Sequence, residues 1–219
     1  MKEKTKQPWP TKDVMNQIYD LKLWGGEAFD FYSGNGSHNP KIVAPYLESV
    51  ISLLQFHQNS LTVCDLGCGD FNIGKHFTPY CTQYIAVDIV KSLIERNKTR
   101  FKEDNLTFKC LDIVETKLPK ADCIILRQVL QHLSNSEIKK IIKKLNSYKY
   151  IILTEHLPAG NFIPNKNIIA GQGIRLKHNS GVDLTAPPFN LIFKEEKTLQ
   201  TYHLEHNKGR IVTKLYQPF

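Results

Sequence analysis

An apolar run breaks off at a pair of glycines in Val63-Cys64-Asp65-Leu66-Gly67-Cys68-Gly69-Asp70, and this break fixes the kind of sheet the chain can build. Neither Gly67 nor Gly69 carries a Cβ, so the backbone there can turn sharply and come close to a ligand. A helix opening at Ile73 would carry the chain onward. Five short apolar runs, at residues 61–66, 84–89, 106–111, 121–126 and 150–154, alternate with amphipathic stretches. That is the pattern of strands joined by crossover helices. The runs are almost continuously apolar, as expected of a parallel sheet covered on both faces.

Elements flank this core on both sides. Ile42, Val43, Tyr46, Leu47, Val50, Ile51 and Leu54 repeat at helical spacing behind Pro40, with Pro45 marking either a kink or the true start. Ser134 and Glu137 form a capping box ahead of Ile138, Ile141, Ile142 and Leu145, and Lys139, Lys140, Lys143 and Lys144 fall on the solvated side. Residues 157–190 are rich in Pro, Gly and Asn and lack a period, which marks a long loop that is either functional or partly disordered. Residues 199–205 and 210–216 read as two strands around His206-Asn207-Lys208-Gly209. The expected architecture is α/β: a doubly wound, mostly parallel seven-stranded sheet with a C-terminal antiparallel hairpin. It is expected to form one domain over residues 1–219, with a helical and lid segment over 1–60 and the core over 61–219.

With 219 residues, 41% hydrophobic and 23% charged, the chain can bury a full core without disulfides or a structural metal. No run of about 18 apolar residues occurs, and the start Met1-Lys2-Glu3-Lys4 has no secretory core behind it, so a cytoplasmic location is expected. Cys64, Cys68, Cys81, Cys110 and Cys123 are an odd, scattered set. They read as reduced thiols, and no metal site is expected. A net charge of +8 permits nucleic acid as a partner, but the lysines are dispersed and do not favour it.

Two more carboxylates meet the glycine turn. Asp88 ends the second run, 23 residues after Asp65, and can take both hydroxyl protons of a ribose. Asp112 follows the third run, where it could accept from an adenine amino group while Ile113 covers the ring. The dinucleotide fingerprint G-x-G-x-x-G fails, because Asn72 stands at its third glycine. Asp65 beside the turn also suits an uncharged or cationic group better than a pyrophosphate.

Asp65-Leu66-Gly67-Cys68-Gly69 closely resembles the glycine-rich motif of class I S-adenosylmethionine (SAM)-dependent methyltransferases. The resemblance continues through Asp88, Asp112 and Ile125-Leu126-Arg127-Gln128-Val129-Leu130-Gln131-His132-Leu133, and covers about residues 61–217. It implies SAM as cofactor and S-adenosylhomocysteine as product. It places Gly67, Cys68 and Gly69 beneath the methionine part, Asp88 with Ile89 at the ribose, Asp112 with Ile113 at the adenine, and the backbone near Arg127 beside the methionine amino group. The family often has an acidic residue where Gln128 stands, so that contact does not carry over.

Methyl transfer from a sulfonium is an in-line displacement, and a general base is needed only for an acceptor that arrives protonated. Glu155 and His156, just past the fifth run, are the candidate bases, and His156 has the better ordinary pKa. His132 reads as packing or capping, and it is carried with Tyr32 and Asp183 as a candidate acceptor contact. Ala186-Pro187-Pro188-Phe189 resembles the N/D-P-P-Y/F motif of amino-methylating enzymes but follows the fifth strand, where that motif follows the fourth, so it reads as a rigid turn. Residues 20–37, with Trp24-Gly25-Gly26 and Phe31-Tyr32-Ser33-Gly34, suit a lid.

The expected acceptor is a small-molecule or glycan hydroxyl, met by Asn161, Asn165, Asn167, Arg175, His178 and Asp183 of the long loop. The alternatives are an RNA or protein methyltransferase and a non-catalytic SAM-binding protein. The absent third glycine argues against a nicotinamide dehydrogenase. Oligomeric state stays open.

Overall fold

The computed structural model describes residues 8–26 and 30–219. The reading of the first four residues, and of residues 27–29 in the lid, falls outside these. Two helices, α1 (Thr11–Asp20) and α2 (Pro40–Phe56), precede the sheet. Then follow β1 (Thr62–Leu66), β2 (Gln83–Asp88), α3 (Lys91–Arg100), β3 (Leu106–Cys110), β4 (Cys123–Arg127), α4 (Asn135–Ile142), β5 (Tyr150–Leu157), β6 (Glu195–His203) and β7 (Arg210–Gln217). The seven strands form one sheet in the order β3-β2-β1-β4-β5-β7-β6. β1 to β5 are parallel, while β7 pairs antiparallel with both β5 and β6. The chain reverses its direction of travel between β1 and β4, and a ligand crevice is expected at the carboxyl ends on either side of such a switch.

Strand alternation sorts the core into two layers. Cys64, Leu66, Ile124, Leu126, Ile151 and Leu153 pack on Ile138, Ile141 and Ile142 of α4. Val63, Cys123, Ile125 and Ile152 pack on Val43, Tyr46, Val50 and Leu54 of α2. Each such fully buried aliphatic side chain contributes roughly 1.5–3 kcal/mol. The same alternation sets the direction of the polar residues that follow. Asp65, Arg127 and His156 continue the α2 row, and Glu155 continues the α4 row.

The predicted capping box of α4 is formed: Ser134 Oγ accepts from Glu137 N, and Glu137 accepts the Ser134 amide at 2.8 Å. α2 begins at Pro40 and runs through Pro45, so Pro45 is not its start. The four lysines expected on the solvated side do not all lie there, because α4 ends at Ile142 and Lys144 falls beyond it. Lys144 Nζ donates to the carbonyls of Ile113, Val114 and Thr116 at 2.7–2.9 Å.

The helix expected from Ile73 is replaced by two 3₁₀ turns, Gly74–His76 and Thr78–Tyr80. Phe71 sits in the left-handed region at φ 63°, its ring packs on Tyr84, Phe101 and Phe108, and Pro79 withholds a backbone donor. The sixth strand starts at Glu195 rather than near 199. Its first four residues are exposed on the sheet edge, so they carry no apolar signal. Among the described residues no helix is long and apolar enough to cross a membrane.

Candidate active site

The turn after β1 is held by its own backbone. The amides of Gly67 and Cys68 both donate to the Val87 carbonyl, at 2.8 and 2.9 Å. Gly69 sits at φ 55°, and a Cβ there would collide with the Ser33 side chain. Its amide donates to Asp88 Oδ2 at 3.1 Å while Val90 N donates to Asp88 Oδ1 at 3.0 Å. Each Asp88 oxygen therefore keeps a lone pair for a further donor. Asp112 Oδ1 accepts from Val114 N at 2.8 Å, which leaves Oδ2 available beside buried Ile113.

The turn lies in a cleft of about 380 Å³. Asp65, Gly67, Cys68, Gly69, Asp88, Ile89, Asp112, Ile113, Arg127, His132 and His156 all line it. Burial raises the Asp65 pKa to about 7, with Asp88 adding to the rise against a 2.9 Å hydrogen bond from Tyr84 and the nearby Arg127. Burial likewise raises Asp88 and lowers Arg127.

Residues 30–38 bridge the cleft. Ser33 N donates to Asp70 Oδ2 and Asp70 N donates to Ser33 Oγ, both at 2.8 Å. His38 Nε2 meets the same Asp70 oxygen at 2.5 Å, and Asn72 donates to the Ser37 carbonyl at 2.7 Å. From the far wall Arg127 donates to the Gly36 carbonyl at 2.6 Å and to Ser37 Oγ at 3.1 Å. Arg96 holds Asp30 through a bidentate pair at 2.9 and 2.6 Å.

A chain of polar groups runs along the floor near β5. His132 gives its Nδ1 hydrogen to the Gly171 carbonyl at 3.0 Å, so its Nε2 accepts from Gln131 at 3.3 Å. Gln131 Oε1 in turn accepts from His156 N at 3.3 Å. Burial depresses His132 to about 4, which keeps the ring neutral, and Trp24 packs on it at 5.1 Å. The His156 ring donates Nε2–H to the Lys208 carbonyl at 2.9 Å, which leaves Nδ1 with its lone pair. Burial lowers the His156 pKa as well.

Several expected site residues are placed elsewhere. Glu155 points to the α4 side of β5, is only 3% exposed, and sits beside Leu153, Leu157, Val182 and Asp183 away from the cleft. Of the two candidate bases, His156 lines the cleft and Glu155 does not. Asp183 also lies outside, and its carboxylate caps Thr185. Tyr32 stacks on His38, with ring centroids 4.2 Å apart, and is not part of the cleft wall.

The long loop uses its polar residues on itself. Asn165 bonds the carbonyls of Asp183 and Pro187. Buried Arg175 bonds those of Lys166, Leu130, Gln131 and Leu133, and Asn167 accepts from Asn135 N. From that loop Gln172 and Ile174 reach the cleft. The sequence reading missed Tyr19, Ser33, Tyr46, Asp70, Gln131 and Gly209. Asp70 beside the glycine motif, Ser33 in the lid stretch, Gln131 in the run after β4 and Gly209 in the hairpin turn lie in segments singled out above, but nothing local marks them as site residues.

Five parallel strands closed by an antiparallel pair, with a glycine turn after the first and carboxylates after the second and third, define the class I methyltransferase fold. The family described as "Methyltransferase domain" matches residues 63–148. That match covers 86 of the 219 residues, and the chain as a whole has the fold of the class I SAM-dependent methyltransferases. It is 28% identical over 113 residues to malonyl-[acyl-carrier protein] O-methyltransferase of Acetivibrio thermocellus, a match spanning 49% of this chain and 40% of that relative's length. N-methyltransferase NodS of Bradyrhizobium japonicum, in complex with S-adenosylhomocysteine, superposes with a TM-score of 0.66 at 14% identity over 94% of this chain and 100% of its own. Magnesium protoporphyrin IX methyltransferase of Synechocystis with bound SAM gives 0.60 at 16% identity over 97% and 100%. At those identities the two structures speak for the fold.

Proposed function

We propose that the chain transfers a methyl group from SAM to the hydroxyl of a small molecule or glycan, with His156 as general base. The observation that carries this reading is the His156 ring, which lines the same cleft as the glycine turn and keeps Nδ1 unprotonated by spending Nε2–H on Lys208. SAM supplies an electrophilic methyl group on a sulfonium. The residues fit it: a cradle at Gly69 that a Cβ would fill, free lone pairs on Asp88 for the ribose, Asp112 Oδ2 for the adenine amino group, and Asp65 for the ammonium. His156 Nδ1 would take the hydroxyl proton as the oxygen attacks, while Gln131 and His132 hold the floor of the acceptor space.

Segment 30–38 crosses the cleft on five or more hydrogen bonds, which favours a small acceptor over a folded RNA or protein. The relatives are named for O-methylation of malonyl-[acyl-carrier protein], for N-methylation and for a magnesium protoporphyrin, so they leave the acceptor of this chain open.

Calorimetric titration with SAM, S-adenosylhomocysteine and NAD, repeated on Asp88→Ala, tests the cofactor half. Binding of the first two that is lost in the variant, with none of NAD, is expected. Labelled SAM offered with pools of hydroxylated metabolites tests the other half, and transfer that survives His156→Ala at full rate would remove His156 from the mechanism.

A further inference from the structure

We propose that Lys144 is a positioning residue for nucleobase selection, aiming the Asp112 carboxylate at the purine amino group by gathering the loop after β3 around its ammonium. The proposal rests on the reading of Asp112 as the adenine contact given above.

Residues 111–120 lie outside helices and strands, so their carbonyls need partners that no ladder supplies. The first four of them line the cleft. Three carbonyls of this loop, those of Ile113, Val114 and Thr116, converge on Lys144 Nζ at 2.9, 2.7 and 2.7 Å. An ammonium carries three hydrogens, one for each oxygen. Three carbonyl dipoles aimed at one place repel each other unless a cation stands between them, so the loop opens when the ammonium is taken away.

The backbone that carries Lys144 is itself fixed. Its amide donates to the Ile141 carbonyl at 2.9 Å, and the neighbouring Ile142 and Leu145 are buried in the same core as Val114 and Leu118. The loop therefore comes to the ammonium, and not the reverse.

Two of the three residues gathered there also hold Asp112. Val114 N donates to Asp112 Oδ1 at 2.8 Å, and Thr116 sends its amide and its hydroxyl to the Asp112 carbonyl at 3.0 and 2.5 Å. With Oδ1 and the carbonyl both tied to the loop, the direction of Oδ2 follows from where the loop is held. Lys140 makes a second tie to the loop through Glu115 at 2.7 Å, but both of those side chains are more than half exposed and such a pair is weak. The selecting geometry thus depends on Lys144.

Calorimetry on the full chain reads this selection directly. S-Adenosylhomocysteine and its 6-deamino counterpart, which carries hydrogen in place of the purine amino group, are titrated into wild type, Asp112→Ala and Lys144→Met, with Lys144→Gln as the second neutral variant should Lys144→Met not fold. Wild type is expected to prefer S-adenosylhomocysteine by at least about tenfold, and Lys144→Met, like Asp112→Ala, by no more than about threefold. Hydrogen exchange at the Val114 and Thr116 amides should quicken in Lys144→Met while that of Ile141 does not. A lysine that served stability alone would lower the Tm and leave the ratio of the two affinities where it was. An unchanged ratio in a folded Lys144 variant, including one that weakens both ligands equally, would therefore overturn the proposal. A preference absent from wild type, or one that survives Asp112→Ala, would instead sink the reading of Asp112 and the role of Lys144 with it, and failure of wild type to bind S-adenosylhomocysteine would sink the methyltransferase reading.

Discussion

The Nε2–H of His156 is donated to the carbonyl of Lys208, 2.9 Å away on the β6–β7 connection. A carbonyl can only accept, so this contact fixes the tautomer and gives the second nitrogen a lone pair. His156→Ala is expected to lower kcat by about 10²–10⁴-fold with the affinity for S-adenosylhomocysteine unchanged. Because burial holds the imidazole below its ordinary 6.5, the rate should climb through an inflection beneath that value and be flat by neutral pH. A profile that still rises above neutral would assign the base elsewhere.

Gly209 stands behind that contact at φ 100°, and a Cβ there would collide with the Leu157 carbonyl and come within 3.1 Å of His156 Nε2. Gly209→Ala is expected to cost about 1–3 kcal/mol of stability and to reduce kcat while leaving cofactor affinity intact. Chemical denaturation and steady-state kinetics together would check both halves.

Asp65 gives a pH signature to binding. Its pKa of about 7 means that it is partly protonated near neutrality, and a ligand ammonium prefers the ionised form. Affinity should rise with pH and level off above about 7, with a proton released on binding. Titrations in two buffers of different ionisation heat would detect that proton, and Asp65→Asn should abolish it.

Glu155 affects stability in the opposite pH direction. Burial lifts its folded pKa from 4.5 to about 8 against the pull of Arg175, so the folded state holds a proton that the unfolded chain has lost. Its stabilising contribution is whole below about 4.5 and drains away as pH rises toward 8. The Tm of Glu155→Gln should therefore fall less steeply than wild type over that window. Equal slopes would remove Glu155 from the titration.

The parts of the site that can be read from sequence are those written by one strand and the turn after it. Asp65, Gly67, Gly69, Asp88 and Asp112 each sit at such a join, and the sheet order brings the joins together. Glu155 and His156 are a different case. A strand buried on both faces carries no alternating pattern, so nothing local says which of two neighbours looks into the cleft. Tyr46, Gly209 and the Arg127 side chain act through contacts made 50 or more residues apart, such as Arg127 with Gly36, and no local pattern encodes them. The long loop reads as an acceptor surface because it is polar, yet Asn165 and Arg175 turn that polarity inward onto backbone carbonyls that lack strand partners.

Asp70 belongs to the glycine turn by sequence, but its amide and Oδ2 bond Ser33 and His38, more than thirty positions earlier. The N-terminal segment and the nucleotide turn are thus not interchangeable parts. A segment grafted from another methyltransferase would close over this cleft only if it brought a hydroxyl to position 33 and an imidazole to position 38, and a substitution at 70 would have to be answered at both. Diversity in what covers the cleft is constrained by a residue in the part of the chain that is meant to be common.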